Sequence, residues 1–219
     1  MADAAPANLR PNRMSRQKQK TRNALIGAAL SVMARKGVDA ATINDITEAA
    51  DVGFGSFYNH FSSKEDIFGV VTEELLDSIG KCIDKTTETI DDPWDQLATS
   101  VRLFVKIIHA KPEWGQFIIR ICAVPNYMQF GIFQRLFRDI EKVNKAPNST
   151  VVDPVTAQYA VGGAMVFMVI ALLEGSLPIA GAANRISAAV LRTLGQNEDS
   201  ITKLIARPLP KIGEISLED

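Results

Sequence analysis

Between Thr42 and Lys64 the chain reads TINDITEAADVGFGSFYNHFSSK. The second half of this stretch gathers Phe54, Ser56, Tyr58, Asn59 and His60 within seven residues. Hydroxyl, amide, imidazole and aromatic groups in such density suit phosphate oxygens and base edges. Gly53 and Gly55 remove side-chain bulk where a sugar-phosphate backbone could come close. The alternative chemistry, catalysis, lacks its usual parts. The two histidines, His60 and His109, lie 49 residues apart, with no nucleophile elbow, phosphate-cradling glycine loop or HExxH pattern. The glycines at 53 and 55 follow no strand. No enzyme, cofactor or metal site is expected.

Residues placed this way need two short helices joined by a tight turn. Thr42 is a good N-cap, with Asp45 three residues on, for a helix ending near Ala50. Asp51-Val52-Gly53 breaks the chain, and a brief helix through Phe61 follows. Ile43, Ile46, Ala50, Val52 and Phe57 form a small core with a preceding helix over about Arg16–Lys36, whose stripe is Leu25, Ala28, Ala29, Val32 and Met33. This is a helix-turn-helix arrangement, in which the outer face of the second short helix can enter a major groove.

Nearly every later segment also reads with helical spacing, so the fold class is all-α. Ser62 and Glu65 read as a capping box that opens a long helix with the stripe Ile67, Phe68, Val71, Leu75, Ile79 and Ile83. Asp92-Pro93 and Asp153-Pro154 are start signals, Lys111-Pro112 restarts the chain, and Pro125 and Pro147 are stops. Asn184 is read as the cap of a ninth helix that stops at Gly195, and a last helix covers about Asn197–Arg207. The tail beyond is read as loose. Residues 1–15 are read as a disordered basic arm, 16–64 as the DNA-contacting domain, and 65–219 as a second helical domain.

The 219 residues are 47% hydrophobic and 22% charged, with a net charge of −1 that hides an asymmetry. Residues 1–64 carry nine Lys and Arg against five acids, a balance of +4; the remainder carries fifteen against twenty, −5. Only the basic end is suited to a polyanion. Cys82 and Cys122 fit neither a disulfide framework nor a zinc site, and no signal peptide opens the chain, so a cytoplasmic setting is expected. The apolar run from Tyr159 to Leu173 is shorter than a bilayer span, and it is read as a buried helix with no membrane partner.

With those residues in view, the chain resembles the TetR family of bacterial regulators. The likeness rests on Thr42, Ile46, Ala49-Ala50, Val52, the run Gly55-Ser56-Phe57-Tyr58-Asn59-His60-Phe61, and Ser63-Lys64-Glu65. It covers roughly residues 20–70. Two positions depart from the pattern: Asp51 stands where the family commonly has a turn glycine, and Gly53 where it has a serine. The resemblance implies that Thr42, Tyr58 and Lys64 meet phosphates, that His60 meets a phosphate or a neighbouring base, and that Phe54 and Ser56 face base edges. Arg13, Arg16, Lys18 and Lys20 would run along the adjacent backbone or minor groove. Each has a plainer alternative: Tyr58 and Phe54 as surface aromatics, His60 on terminal carbonyls, Lys64 in solvent.

The resemblance further implies a C-terminal ligand-binding and dimerisation domain, and a repressor released from palindromic operator DNA by a small, largely apolar effector. The sequence itself offers Phe104, Trp114, Phe117, Ile118, Tyr127, Met165 and Met168 as candidates to line a chamber. Each could equally be core. Arg102, His109, Arg120 and Glu174 are the polar groups expected to orient a ligand, such as an aromatic carboxylate. The eighth helix is apolar nearly all round and carries Gly162, Gly163 and Ala164, so it needs cover. A homodimer through the last long helices would supply it and set two recognition helices about one DNA turn, ~34 Å, apart. Ligand in the chamber would then tilt the fourth helix and change head spacing. The competing reading is a helical small-molecule binding or interaction protein whose helix-turn-helix is structural only.

Overall fold

A computed structural model describes residues 13–123, 126–147, 149–151, 153–213 and 215. Residues 1–12 of the expected arm and Pro125 lie outside the described residues. Among the described residues ten α-helices run in the order α1 (Arg13–Lys36), α2 (Ile43–Ala49), α3 (Phe54–Phe57), α4 (Lys64–Thr87), α5 (Pro93–Ala110), α6 (Pro112–Ile121), α7 (Gly131–Asn144), α8 (Pro154–Leu173), α9 (Ala182–Thr193) and α10 (Glu198–Ala206). One 3₁₀ turn, Tyr127–Gln129, precedes α7, and no strand occurs among the described residues.

The start signals act as read at most helices. Thr42 Oγ1 accepts from Asp45 N at 3.1 Å while Asp45 Oδ2 accepts from Thr42 N at 3.1 Å, a complete capping box. Asp92, Asp153 and Asn197 cap α5, α8 and α10 through side-chain oxygens. Two caps differ. At α4 the N-cap is Ser63, whose Oγ accepts from Asp66 N, and the Asp66 carboxylate accepts from Ser62 N and Oγ at 2.7 and 2.9 Å. Consecutive serines, each with an acid three residues on, leave the register open by one position; Asp66 settles it because Ser62 gives it both donors. At α9 the N-cap is Gly181, and Asn184 lies inside the helix with its Oδ1 accepting from Arg102 Nε at 2.9 Å.

Two cores carry the fold. The first joins α1 to α4 (Leu25, Met33, Ile46, Phe57, Ile67, Val71) and continues without a break through Leu103, Ile108, Phe117 and Ile121. No gap in packing therefore marks the boundary expected at 64/65, and α1 rests on α6 as well as on α4. The second core holds α5, α7, α8, α9 and α10 together through Leu97, Val101, Ile140, Val161, Ile186, Leu191 and Ile201. Helix α5 belongs to both, which makes it the central element.

Three further readings are corrected by the packing. Helix α1 begins at Arg13, so its first turn falls within the stretch expected to be disordered. The tail is not loose throughout: Leu209, Ile212 and Ile215 pack on the first core, and Cys82 Sγ donates to Gly213 O at 3.9 Å. Their three-residue spacing matches neither a helical nor a strand template. Helix α8 spans 20 uncharged residues, long and apolar enough to cross a membrane, yet it packs on α5, α6, α7 and α9. It is not buried either. Only Gln158, Val161, Val169 and Leu172 are inside, while Phe167 is 73% exposed beside exposed Val155 and Tyr159.

Candidate nucleic-acid interface and buried chamber

Helix α2 is only two turns long, so its position depends on packing rather than propensity. Ile46 and Phe57 are fully buried against α1 and fix the angle between α2 and α3. The turn between them needs a left-handed residue, and Asp51 supplies it with φ 53°. Aspartate tolerates this region less well than glycine, at a cost of roughly 1 kcal/mol. Asp51→Gly is therefore expected to raise the thermal midpoint by about 2–4 °C in a melting experiment.

The second short helix is shorter than expected. Regular α-helix ends at Phe57, and Asn59 N→Ser56 O and His60 N→Phe57 O bonds tighten Tyr58–His60 into 3₁₀-type turns. The result is a compact knob whose outer surface carries Phe54 and Tyr58, 51% and 53% exposed, with exposed Asn59 and half-buried Ser56 and His60. The Phe54 and Tyr58 rings meet edge to face at 5.6 Å, and Tyr58 also packs edge to face on buried Phe57 at 5.4 Å. This ladder holds the exposed rings in place, so their phenol and ring edges are presented in a fixed orientation.

Thr42 is exposed at the start of α2, its hydroxyl proton left over after Oγ1 accepts from Asp45. Lys64 is engaged: its Nζ donates to Val38 O at 3.0 Å and Asp39 O at 2.9 Å, which closes the α1–α2 loop onto α4. Burial, and the charges of Lys18 and Arg22, hold the His60 imidazole below its ordinary value. Lys18 and Arg22 thus face the knob from α1. Arg22 also bridges to Glu74 at 3.0 Å and sits over the Phe61 ring at 5.3 Å. Phe61 is core, and the cation fastens α1, the knob and α4 together.

In the helical body, α4, α5, α6, α7 and α8 line a half-open cavity of about 100 Å³. Phe104, Ile118 and Met165, of the seven candidates, line it, with Leu97, Val101, Leu136 and Val169. The other four candidates lie elsewhere. Trp114 and Phe117 are buried in the first core, Phe117 against Phe68 at 5.8 Å. Tyr127 borders an adjoining groove with Tyr159 and Phe167, and Met168 packs on the second core. An aromatic at helical spacing shows that a face is apolar, not which neighbour that face meets.

The polar wall of the cavity was missed altogether. Asp84, Ser100, Arg135 and Asp139 line it. Arg135 Nε donates to Asp84 Oδ2 and Arg135 Nη2 to Asp77 Oδ1, both at 2.8 Å; Arg138 Nη2 reaches Asp84 Oδ1 at 2.7 Å and Arg138 Nε reaches Asp139 Oδ1 at 3.0 Å. Gly80 makes room for this, since a Cβ there would stand 2.6 Å from Arg135 Nη1. Burial works to raise the Asp84 carboxyl, but hydrogen bonds from Arg138 and Arg135 hold it below its usual value. Burial pushes Asp139, only 6% exposed, the other way despite Arg138 beside it. Arg102, His109, Arg120 and Glu174, the expected orienting groups, do not line this cavity. Cys122 is a free thiol that burial pushes up to about 11, which leaves it unreactive at neutral pH.

Comparison with known proteins places both halves. Residues 25–71 match the model for bacterial regulatory proteins of the tetR family, and residues 92–207 match the Tetracyclin repressor-like C-terminal domain. The HTH-type transcriptional repressor DhaR of Mycobacterium sp. (strain GP1) is 38% identical over 72 residues, 33% of this chain and 36% of that protein. The repressor KstR2 of Mycolicibacterium smegmatis is 31% identical over 81 residues, 37% of this chain and 40% of that protein. These matches span little more than a third of either relative's length. The solved structure of RolR in complex with resorcinol superposes with a TM-score of 0.69 at 29% identity, over 91% of this chain and 100% of that one. FadR from Bacillus subtilis in complex with stearoyl-CoA gives 0.65 at 16% identity, over 78% and 97%, a likeness of fold alone. DhaR and KstR2 are named as transcriptional repressors and FadR as a transcriptional regulator.

Proposed function

Because the chain belongs to the TetR family of bacterial regulators, we propose that it is a cytoplasmic repressor that binds palindromic operator DNA as a dimer and leaves it when a small hydroxylated aromatic fills the chamber. The observation that carries this reading is the course of α4. Its first turn follows directly on the knob, to which Arg22 ties it by covering Phe61 and bridging Glu74, and Gly80, Ile83 and Asp84, about 24 Å further along the same helix, wall the chamber. A ligand that moves α4 at one end shifts the knob at the other.

On this reading Tyr58 and Thr42 give hydroxyl donors to phosphates, Phe54, Ser56 and Asn59 face base edges, and His60 stands beside a phosphate. Lys64 serves the interface through the α1–α2 loop, which sets the position of Thr42. The part to about residue 64 supplies the DNA contacts, and the remainder supplies chamber and dimer surface. The outward face of α8, with α9, is the dimer contact.

Cavity size and polarity restrict the effector. A 150 Å³ engineered cavity holds benzene, so a volume of about 100 Å³ suits one ring after small side-chain adjustment better than a long acyl chain. Arg135 and Arg138 are already committed to Asp77, Asp84 and Asp139. A hydroxyl donating to Asp139 therefore complements the wall better than the carboxylate expected from sequence. The resorcinol bound by RolR is of this class.

The test is fluorescence anisotropy of an operator duplex titrated with resorcinol, phenol, benzoate and stearate. The reading expects saturable release by a hydroxybenzene and none by stearate. An operator complex indifferent to every hydroxybenzene would contradict it.

His60 gives a pH prediction. A phosphate alongside favours the imidazolium that burial, Lys18 and Arg22 disfavour in the free protein. The bound-state pKa then exceeds the free-state one, so binding takes up a proton between the two. Operator affinity is expected to rise roughly three- to ten-fold as pH falls from about 8 to about 6, and His60→Gln to flatten that profile.

A further inference from the structure

Helix α5 has a second cavity behind it. Leu97, Val101 and Phe104 face the chamber, whereas Arg102, Lys106 and His109, spaced by four and three residues along one stripe, line a separate cavity of about 350 Å³. Two of these, Arg102 and His109, are residues whose type suggested ligand contact, and the fold turns them away from the chamber. Opposite them stands the N-terminus of α9. No Asp or Glu is among the described residues that line this space.

Two independent features leave it short of an anion. Helix α9 starts from Gly181, which has no side chain to accept the first amides. Ala182 N is taken by Ile179 O at 3.0 Å, but the amides of Ala183 and Asn184 have no acceptor among the described residues. Such free amides and the aligned helix dipole favour negative charge. The second feature is Arg102. It is 5% exposed, its Nε is held by Asn184 Oδ1 at 2.9 Å, and its Nη1 is buried without any partner. An unpaired buried guanidinium nitrogen leaves its desolvation uncompensated. Asp95, the acid whose charge reaches Arg102, is already bonded by Arg207 and Thr99.

We propose that this cavity is a binding site for a compact oxyanion, a carboxylate or phosphate on a small apolar body, seated between the Arg102 guanidinium and the free amides at the start of α9. Lys106 and His109, both exposed, flank the mouth and draw the anion in. Leu172 and Ile179 offer the apolar body a wall. The site needs no operator DNA, so its test is separate from that of the repressor reading.

The experiment is isothermal titration of the full chain with inorganic phosphate, phenyl phosphate, acetate and benzoate, ionic strength being held constant with chloride. Saturable binding of at least one probe at one site per chain is expected, at about millimolar Kd or tighter. Arg102→Met is expected to weaken it by at least about ten-fold, and Lys106→Glu, at an exposed position, by about five-fold, equivalent to one lost charge-assisted contact or less. Lys106→Glu keeps the test decisive if Arg102→Met does not fold. Preference for benzoate would assign an organic acid, and preference for phenyl phosphate a phosphorylated compound; either supports the site. No saturable heat from any of the four probes, or binding that Lys106→Glu leaves unchanged, overturns it.

Discussion

Gly162→Leu is expected to weaken effector release sharply while leaving the protein folded and on its operator. Gly162 lies on α8 in the chamber wall, and a Cβ placed there meets nothing within 4 Å. A leucine at this position enters free space and occupies most of a cavity of about 100 Å³. Replacing a mid-helix glycine also favours the helix by up to about 1 kcal/mol, so stability is expected to hold or rise. Anisotropy should show the resorcinol concentration for half-release raised at least about 30-fold, roughly 2 kcal/mol, with operator Kd changed less than about three-fold. Gly162 also borders the groove beside Tyr159 and Phe167, so a second filling variant from the opposite wall is informative. Ser100→Leu on α5 should reproduce the result, since Ser100 lines the chamber and not that groove. Normal release by resorcinol in both variants would show that the effector binds elsewhere.

Phe167→Asp should separate the dimer and with it operator binding. Phe167, Tyr159 and Val155 are large apolar side chains more than half exposed along α8. Such a patch on a helix already packed on its other side marks an interaction face. An aspartate at a two-fold contact would bury two like charges without partners, a cost of several kcal/mol. Sedimentation is expected to show the dimer weakened at least about 100-fold, with circular dichroism unchanged because Phe167 is outside both cores. Operator affinity should fall at least as far, because two tethered heads gain an effective concentration that single heads lack. A variant that stays dimeric would move the interface off α8.

The helices were legible because their start signals are local. Thr42 with Asp45, Asp92 before Pro93, Asp153 before Pro154, and Asn197 each cap the helix that follows within a few residues. Where the deciding partner is distant, the sequence was silent. Asn184 has the type of a cap, but its partner is Arg102, 82 residues away. The pairing of Asp84 with Arg135 and Arg138 spans 51 and 54 residues, and nothing on α4 or α7 alone announces it. The knob was visible from its residue types, whereas its tightening after Phe57 was not, since 3₁₀ and α turns share the same periodic cue over so few residues. Among chamber candidates, Phe104, Ile118 and Met165 differ from Trp114 and Phe117 only in which helix they face.

Operator recognition by the paired knobs separates a regulator from a helical binding protein. The most direct measurement selects duplexes from a random DNA library with the purified protein, then follows Kd for the enriched site and a scrambled control across a salt series. A dimer whose two knobs each meet about three or four phosphates predicts a slope of log K against log salt near −5 to −7, with the scrambled duplex bound at least about 10³-fold more weakly. A selection that enriches no sequence, with a shallow slope shared by both duplexes, would contradict the claim and leave a helical binding protein whose helix-turn-helix is structural only.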